Sequence, residues 1–397
     1  MRTDSRLSYL ECRACCTQLE PDRPVGTCPT CGHTLFAGYD TVGWDARTWW
    51  AELRSRPATL WRYRELLPVR ESARVATLGE GFTPCLELGE VEGAPGVKVV
   101  AKDDGSMPTG SFKARGMTVA VSRAWELGLR ELFVPSAGNA GTALSAYAAR
   151  AGLKARVYVP ERTPAPIKQA IRLYGAELVE VPGTIREAGE SARSREGGRG
   201  SFDMSTLREP YRVEGKKTMG FEIVEESGVE GLPDAILYPT GGGTGLVGMA
   251  KAFRELRALG LLERTPRLYA VQSAGCAPVV QALAEGSPSV APWDHPATIA
   301  PGLLVPSPFS SERILEAVRE SRGGGVVVSD REIVRAMRDL AVRHGVSASP
   351  EAAAPYAALP QLFRNGRIRS GERVLLYLTG TGLVFSVGEL ERSLADE

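Results

Sequence analysis

Residues 234–260 read DAILYPTGGGTGLVGMAKAFRELRALG. An apolar run passes through three consecutive glycines into a segment with apolar residues at helical spacing, closed by Gly260. That pattern is a buried strand turning directly into a helix. The amides of Gly241, Gly242, Gly243, Thr244 and Gly245 then fall at the positive end of the helix dipole, where a dianionic phosphate is held. No Gly-Lys-Ser/Thr follows, so the loop is not a P-loop, and its spacing is a poor dinucleotide fingerprint. Taken alone, the glycine run reads equally well as a tight turn.

The same punctuation recurs on both sides. VKVVAKDD (97–104), ELFVPSAGN (131–139), KARVYVP (154–160), ELVEVPG (177–183), RLYAVQS (267–273), GVVVSD (325–330) and RVLLYLTGTG (373–382) read as strands. They alternate with helical patterns, such as ARGMTVAVSRAWELG (114–128), AGTALSAYAARAG (140–152) and REIVRAMRDLAVRHG (331–345). REGGRGS (195–201) reads as a loop. Alternating strands and helices imply parallel sheets wound by right-handed crossovers. Ligands then sit at the carboxyl ends of strands. Three strands end in Gly-rich turns there: PSAGNAG (135–141), PTGGGTG (239–245) and LTGTG (378–382). In the first of these, backbone amides and the Ser136 hydroxyl suit a carboxylate; helix capping by Ser136 or Asn139 is the structural alternative. WDARTWWAELRSRPATLWRYRELLPV (44–69) predicts helices whose aromatics serve as core.

The totals exclude other classes. A chain of 397 residues predicts two or three domains. Lys and Arg number 48 against 47 Asp and Glu, which leaves no electrostatic reason to expect nucleic acid or an anionic membrane as partner. No apolar run reaches the roughly 18 residues of a membrane span, and MRTDSRLSYLECRACC lacks an apolar signal core. The expectation is a soluble, cytoplasmic protein. Five of seven cysteines lie in the first 31 residues. Cys12 with Cys15, and Cys28 with Cys31, form two C-x-x-C knuckles that place four thiolates for a tetrahedral, structural Zn2+. Cys16 reads as a bystander, and His33 could in principle replace one ligand. Cys85 and Cys276 read as packing residues.

TGSFKAR (109–115) sets Lys113 in a Gly/Ser loop beside Phe112 and ahead of a helix. A lysine desolvated in this way has a lowered pKa and serves as a Schiff-base amine. Lysine, phosphate cradle and carboxylate loop together are what a pyridoxal 5'-phosphate (PLP) enzyme needs, and Thr379 of LTGTG could hydrogen-bond the pyridine nitrogen.

GEGFTP (79–84), TGSFKARGM (109–117), SAGNAG (136–141), EPYRVEGKKTMGFEI (209–223), PTGGGTGLVGM (239–249) and SPEAAA (349–354) occur in one order. On these motifs the chain resembles the fold-type II PLP enzymes, and within them the threonine synthase family. The likeness covers nearly everything after the cysteine ribbon, which several family members also carry. It implies an α/β fold of two doubly wound parallel or mixed sheets with helices on both faces and the cofactor between two domains. The implied division is a zinc ribbon at 1–40, a large PLP domain at 41–119 and 206–397, and a small mobile substrate domain at 120–205. By the same resemblance Lys113 carries the cofactor, Asn139 bonds its phenolic oxygen, Gly241–Gly245 hold its phosphate and Thr379 meets its ring nitrogen. Ser136, Ala137, Gly138, Ala140 and Gly141 would hold the substrate carboxylate, and Arg212 the substrate phosphate. The implied activity is a lyase that converts O-phosphohomoserine and water to threonine and phosphate, in a homodimer.

The chain departs from the family at three places. Ala114 stands where FKDRG has Asp, STLREPYR (205–212) replaces an NSVNP stretch, and TGTGLVFS (379–386) lacks a GLKD ending. Arg115, Lys216 and Lys217 are further candidate cations, or else solvated helix faces and salt bridges. Related fold-type II chemistry is therefore the alternative: threonine or serine dehydratase, or β-replacement on O-phosphoserine as in cysteate or diaminopropionate synthases. A PLP-binding protein without turnover is the third reading.

Overall fold

The computed structural model describes residues 5–395. The chain divides into two compact units. One comprises the residues up to Phe82 together with Lys113–Thr218 and Ala258–Leu261; the other comprises Thr83–Phe112, Met219–Arg257 and Leu262 onward.

The first unit begins with a small antiparallel sheet, Leu7–Cys12 (β1), Gln18–Leu19 (β2) and Leu35–Tyr39 (β3), in the order β2-β1-β3. The tryptophan-rich segment supplies only one α-helix, Ala46–Glu52 (α1), capped by the Asp45 carboxylate, which accepts from the Thr48 amide. Pro57 cannot donate a helical hydrogen bond, and the chain continues instead as 3-10 turns at Leu53–Ser55 and Leu60–Leu66. The aromatics do pack as core: Trp49 and Tyr63 are buried, with ring centroids 4.7 Å apart for Trp44 and Trp49 and 6.2 Å for Tyr63 and Phe82.

A four-stranded parallel sheet completes this unit: Glu131–Pro135 (β6), Lys154–Pro160 (β7), Glu177–Val181 (β8) and Phe202–Asp203 (β9), in the order β8-β7-β6-β9. Its helices are Lys113–Glu126 (α2), Asn139–Ala151 (α3), Ala165–Leu173 (α4) and Ile185–Glu196 (α5). The small residues of α3 let it sit close to the sheet; a Cβ on Gly141 would lie 2.6 Å from Val157 Cγ1. A capping box of Thr184 and Glu187 starts α5.

The second unit is a six-stranded sheet built on Cys85–Leu88 (β4), Lys98–Asp103 (β5), Ala235–Pro239 (β10), Arg267–Ser273 (β11), Gly324–Val328 (β12) and Arg373–Leu378 (β13). The order is β12-β11-β10-β13-β5-β4, with every neighbouring pair parallel except β4 with β5. The last strand in sequence thus lies inside the sheet. Helix Arg212–Ser227 (α6) enters this unit from residue 219 onward. It is followed by Thr244–Ala258 (α7), Pro278–Ala284 (α8), Ser311–Glu320 (α9), Asp330–His344 (α10), Pro350–Arg364 (α11) and Val387–Ala395 (α12). Leu237, Val271, Val326, Leu376 and Ala101 form the sheet's apolar face, against which Ile333, Ala353 and Leu359 pack. Lys102 interrupts the apolar run of β5 and is nevertheless fully buried. Its Nζ reaches the Glu226 carboxylate at 2.7 Å, Glu222 at 3.3 Å and the Thr83 carbonyl at 2.8 Å, the pairing a buried charge requires. Cys276 is buried as expected, whereas Cys85 is exposed because β4 is an edge strand. Among the described residues no helix is long and apolar enough to cross a membrane.

Candidate active site

The second unit carries the glycine cradle. Strand β10 ends at Pro239, Gly241–Gly243 turn the chain, and Thr244 opens the 15-residue helix α7, whose first amides have no intrahelical acceptor. A Cβ on Gly241 would lie 2.1 Å from the Gly302 carbonyl oxygen, one on Gly243 2.3 Å from Ile314 Cδ1, and one on Gly245 2.0 Å from Tyr238 Oη. Of the three only Gly243 has a left-handed φ, +68°. The chain's own packing around the loop thus requires glycine at all three positions, and it is the free amides at the start of α7 that suit an anion.

The same unit holds the loop that leads to the lysine. Residues 110–112 run antiparallel to 379–381, beyond the carboxyl end of β13. The Phe112 amide donates to the Thr379 carbonyl at 2.9 Å, the Thr381 amide donates to the Gly110 carbonyl at 2.9 Å, and Ser111 is bridged to Gly380. The Phe112 ring stands edge-on to Tyr238, with centroids 6.0 Å apart. Thr379 is buried. The hydroxyls of Thr109 and Ser111 are buried without a hydrogen-bond partner. Buried orphan hydroxyls are rare in folded proteins, and two in one loop mark a place where a polar group belongs. Nothing in the residue spacing singled them out.

The first unit carries the remaining candidates. Lys113 is half-buried at the start of α2. Ser136 follows β6, and its hydroxyl accepts from the amides of Gly138 at 3.2 Å and Gly141 at 3.0 Å while donating to the Gly138 carbonyl at 3.0 Å. It braces the loop of Ala137, Gly138, Asn139 and Ala140 from within. The capping alternative is realised in part: Ser136, although two residues before the formal N-cap Gly138, satisfies the Gly141 amide in the first turn of α3, whereas Asn139 is already helical. Arg212 opens α6 fully buried, with Nη1 donating to the Met204 carbonyl at 2.6 Å and Nε without an acceptor. Glu209 lies beside it, accepting from the Tyr211 amide at 2.8 Å and the Arg212 amide at 2.9 Å. Burial pushes the Glu209 carboxyl up to about 7, against the opposing pull of Arg212. Burial likewise lowers the Arg212 pKa, against Glu209 and Asp203.

Arg115, Lys216 and Lys217 are buried, which corrects the solvated-face alternative. Arg115 Nη1 donates to Thr218 Oγ1 at 3.2 Å. Lys217 is ion-paired to Glu214 at 2.6 Å and lies 4.1 Å from the Tyr39 ring centroid. Ala114 is buried in the first turn of α2. A further residue that spacing did not reveal is Glu80 of GEGFTP, fully buried as the acceptor for Trp61, Thr77, Thr118, Tyr147 and the Leu78 amide.

In the ribbon, the sulfurs of Cys12, Cys15, Cys28 and Cys31 all lie within 4.8 Å of one another. The pairs Cys12–Cys31, Cys15–Cys28 and Cys15–Cys31 are 3.4, 3.6 and 3.3 Å apart. Disulfide sulfurs would be about 2.05 Å apart, whereas four thiolates about 2.3 Å from a tetrahedral zinc are about 3.8 Å apart. The donor set and its spacing fit such an ion. Cys16 is exposed and outside the group. His33 is also outside it, its Nδ1 3.1 Å from the Cys31 carbonyl.

Comparison with known proteins gives the family. Residues 76–380 match the family described as pyridoxal-phosphate dependent enzyme. A threonine synthase of Methanocaldococcus jannaschii is 33% identical over 374 residues, covering 94% of this chain and 92% of that protein. One from Halalkalibacterium halodurans is 37% identical over 329 residues, covering 82% and 88%. Among solved structures, a threonine deaminase from T.th. superposes with a TM-score of 0.65 at 28% identity, over 77% of this chain and 94% of that one. An aspartate racemase superposes with a TM-score of 0.66 at 23% identity, over 78% and 92%, which is a likeness of fold.

Proposed function

The chain belongs to the pyridoxal-phosphate dependent enzymes of fold type II and is a lyase, and from that premise we propose that it is a threonine synthase, taking O-phosphohomoserine and water to threonine and phosphate. The observation that carries this reading is the likeness to threonine synthases at 33% and 37% identity over 94% and 82% of this chain. The free amides at the start of α7 and the orphaned Thr109 and Ser111 hydroxyls support the fit of these residues to the cofactor.

When bound, pyridoxal phosphate supplies an electron sink for the substrate's carbanion chemistry. The Lys113 amine would hold it at rest, and the same Nζ would take the proton from the substrate α-carbon and move protons between its carbons. The amides of Gly241–Gly245 would hold the cofactor phosphate, the Thr379 hydroxyl would serve its ring nitrogen, and Asn139 its phenolic oxygen. Ser136, Ala137, Gly138, Ala140 and Gly141 hold the substrate carboxylate, and Arg212 its phosphate, which leaves from the γ-carbon before water adds at the β-carbon. Closure of residues 120–205 excludes water until that step. The four ribbon thiolates hold one structural zinc, and the enzyme works as a cytoplasmic homodimer.

One observation favours a second reading. Glu209 sits against Arg212 and opposes its charge, which suits an unphosphorylated substrate, as for a threonine or serine dehydratase. Incubating purified holoenzyme with O-phosphohomoserine, O-phosphoserine, threonine or serine separates the two. Equal amounts of threonine and phosphate from O-phosphohomoserine are expected. Release of a 2-oxo acid from threonine or serine, with no phosphate from O-phosphohomoserine, overturns the proposal. Lys113→Ala should remove the visible band of the bound cofactor; an unchanged band overturns the lysine assignment.

A further inference from the structure

The cysteine ribbon does more than extend the fold: beside its contacts with Arg123 of α2 and with residues 65–70, a distinct set of contacts falls on residues 205–217. Thr34, three residues past Cys31, donates its hydroxyl to the Leu207 carbonyl at 2.6 Å in a buried hydrogen bond. Leu207 has a left-handed φ of +58°. A bulky side chain is a genuine outlier there, and such strain persists only where the surroundings over-determine it. Gly26, two residues before Cys28, packs so tightly under the next residue that a Cβ would lie 2.9 Å from the Arg208 carbonyl oxygen. Thr27 and Thr34 are bridged to each other, and the Cys28 amide donates to the His33 carbonyl at 2.8 Å. Whatever holds the second knuckle therefore also holds Leu207 and Arg208. Tyr39, at the end of β3, grips the far end of the segment. Its hydroxyl donates to Glu214 Oε2 at 2.8 Å, the oxygen that also pairs with Lys217.

We propose that the ribbon is a positioning element for the substrate's anion contact, with Thr34 and Tyr39 as the positioning residues. Thr34 clamps the strained turn before Arg212, Tyr39 clamps the first turns of α6 after it, and Arg212 lies between. Neither residue is placed in contact with substrate or cofactor. The proposal rests on the reading of Arg212 as the substrate's phosphate contact.

The test uses the holoenzyme with Thr34→Val, which keeps the shape and removes the hydroxyl, and separately Tyr39→Phe. Two readouts are taken. The first is KM for O-phosphohomoserine against kcat, together with the visible band of bound cofactor. The second is backbone hydrogen exchange of peptides covering 205–217. Each variant should raise KM by about three- to thirtyfold, the range of long-range coupling changes, with the cofactor band retained and faster exchange confined to 205–217. Unchanged exchange there, or exchange rising equally throughout both units with loss of the band, overturns the proposal. Wild-type enzyme that does not turn over O-phosphohomoserine sinks the functional reading instead, while the exchange pattern still decides the coupling.

Discussion

Glu80→Gln is a one-atom change whose cost can be worked from the structure. The carboxylate is fully buried and surrounded by donors. Oε1 accepts from Trp61 Nε1 at 2.9 Å, Thr77 Oγ1 at 2.9 Å and Thr118 Oγ1 at 2.8 Å; Oε2 accepts from Tyr147 Oη at 2.7 Å and the Leu78 amide at 2.9 Å. Burial, and then the Glu80 charge, push the Tyr147 phenol far above its ordinary pKa, so it remains protonated. A glutamine offers one acceptor oxygen and two N–H donors. With the amide oxygen toward Trp61, Thr77 and Thr118, the NH2 faces Tyr147 and Leu78. The phenol can turn to accept, but the Leu78 N–H cannot. One stranded donor costs about 1–3 kcal/mol, and weakening of the remaining bonds once the charge is gone brings the total to about 2–3 kcal/mol. At about 2–4 °C per kcal/mol the midpoint should fall by roughly 5–10 °C. Tryptophan fluorescence is the appropriate probe, since Trp44, Trp49, Trp50, Trp61 and Trp125 all lie in the unit that contains Glu80. Tyr147→Phe should cost less in the glutamine background than in wild type. A Glu80→Gln midpoint within about 1 °C of wild type would refute the reasoning.

Three further outcomes are expected. Gly245→Ala forces a methyl against Tyr238 Oη and should cost about 1–3 kcal/mol with loss of cofactor on dialysis; a variant that keeps the visible band and its midpoint contradicts the cradle. Glu209 is held at about 7 against 4.5 for the free group, so it binds its proton more tightly folded than unfolded; the stability this gives is complete below about 4.5 and is lost as pH rises through about 7. Glu209→Gln should therefore gain on wild type by up to about 3 kcal/mol across that window, measured as midpoint against pH, and a pH-independent difference would show the carboxyl is not shifted. Chelation should release about one zinc per chain and lower the midpoint of the first unit; protein purified without any metal would remove the ribbon's ion from the account.

The strands could be anticipated because parallel strands buried on both faces are written as plain apolar runs, such as AILYP and RVLLYL. Glycines mark where those runs end, which is why the Gly-rich turns after β6, β10 and β13 are legible. What escaped depends on partners distant in sequence. Lys217 reads as an exposed helical lysine until Tyr39 is brought to it. Lys102 looks like an interruption of a strand until Glu222 and Glu226 come down from α6. Strand β4 is four residues long with two exposed, too short for alternation to register. The segment 53–66 carries helical spacing, but Pro57 divides it and tertiary packing of its aromatics, not backbone propensity, sets its shape.

The central placement of β13 also has a consequence for biosynthesis. Its neighbours in the sheet are β10 and β5, and β5 leaves the ribosome long before it does. At about 5–20 residues per second, the stretch from residue 103 to residue 373 takes about 15–55 s to translate. Throughout that interval the Val99–Ala101 run of β5 has one ladder edge without its partner, while β10, β11 and β12 accumulate as a separate half-sheet. The nascent chain therefore presents an open ladder edge that β13 alone covers in the finished sheet, so that loss of residues 373–378 would be a fault in folding.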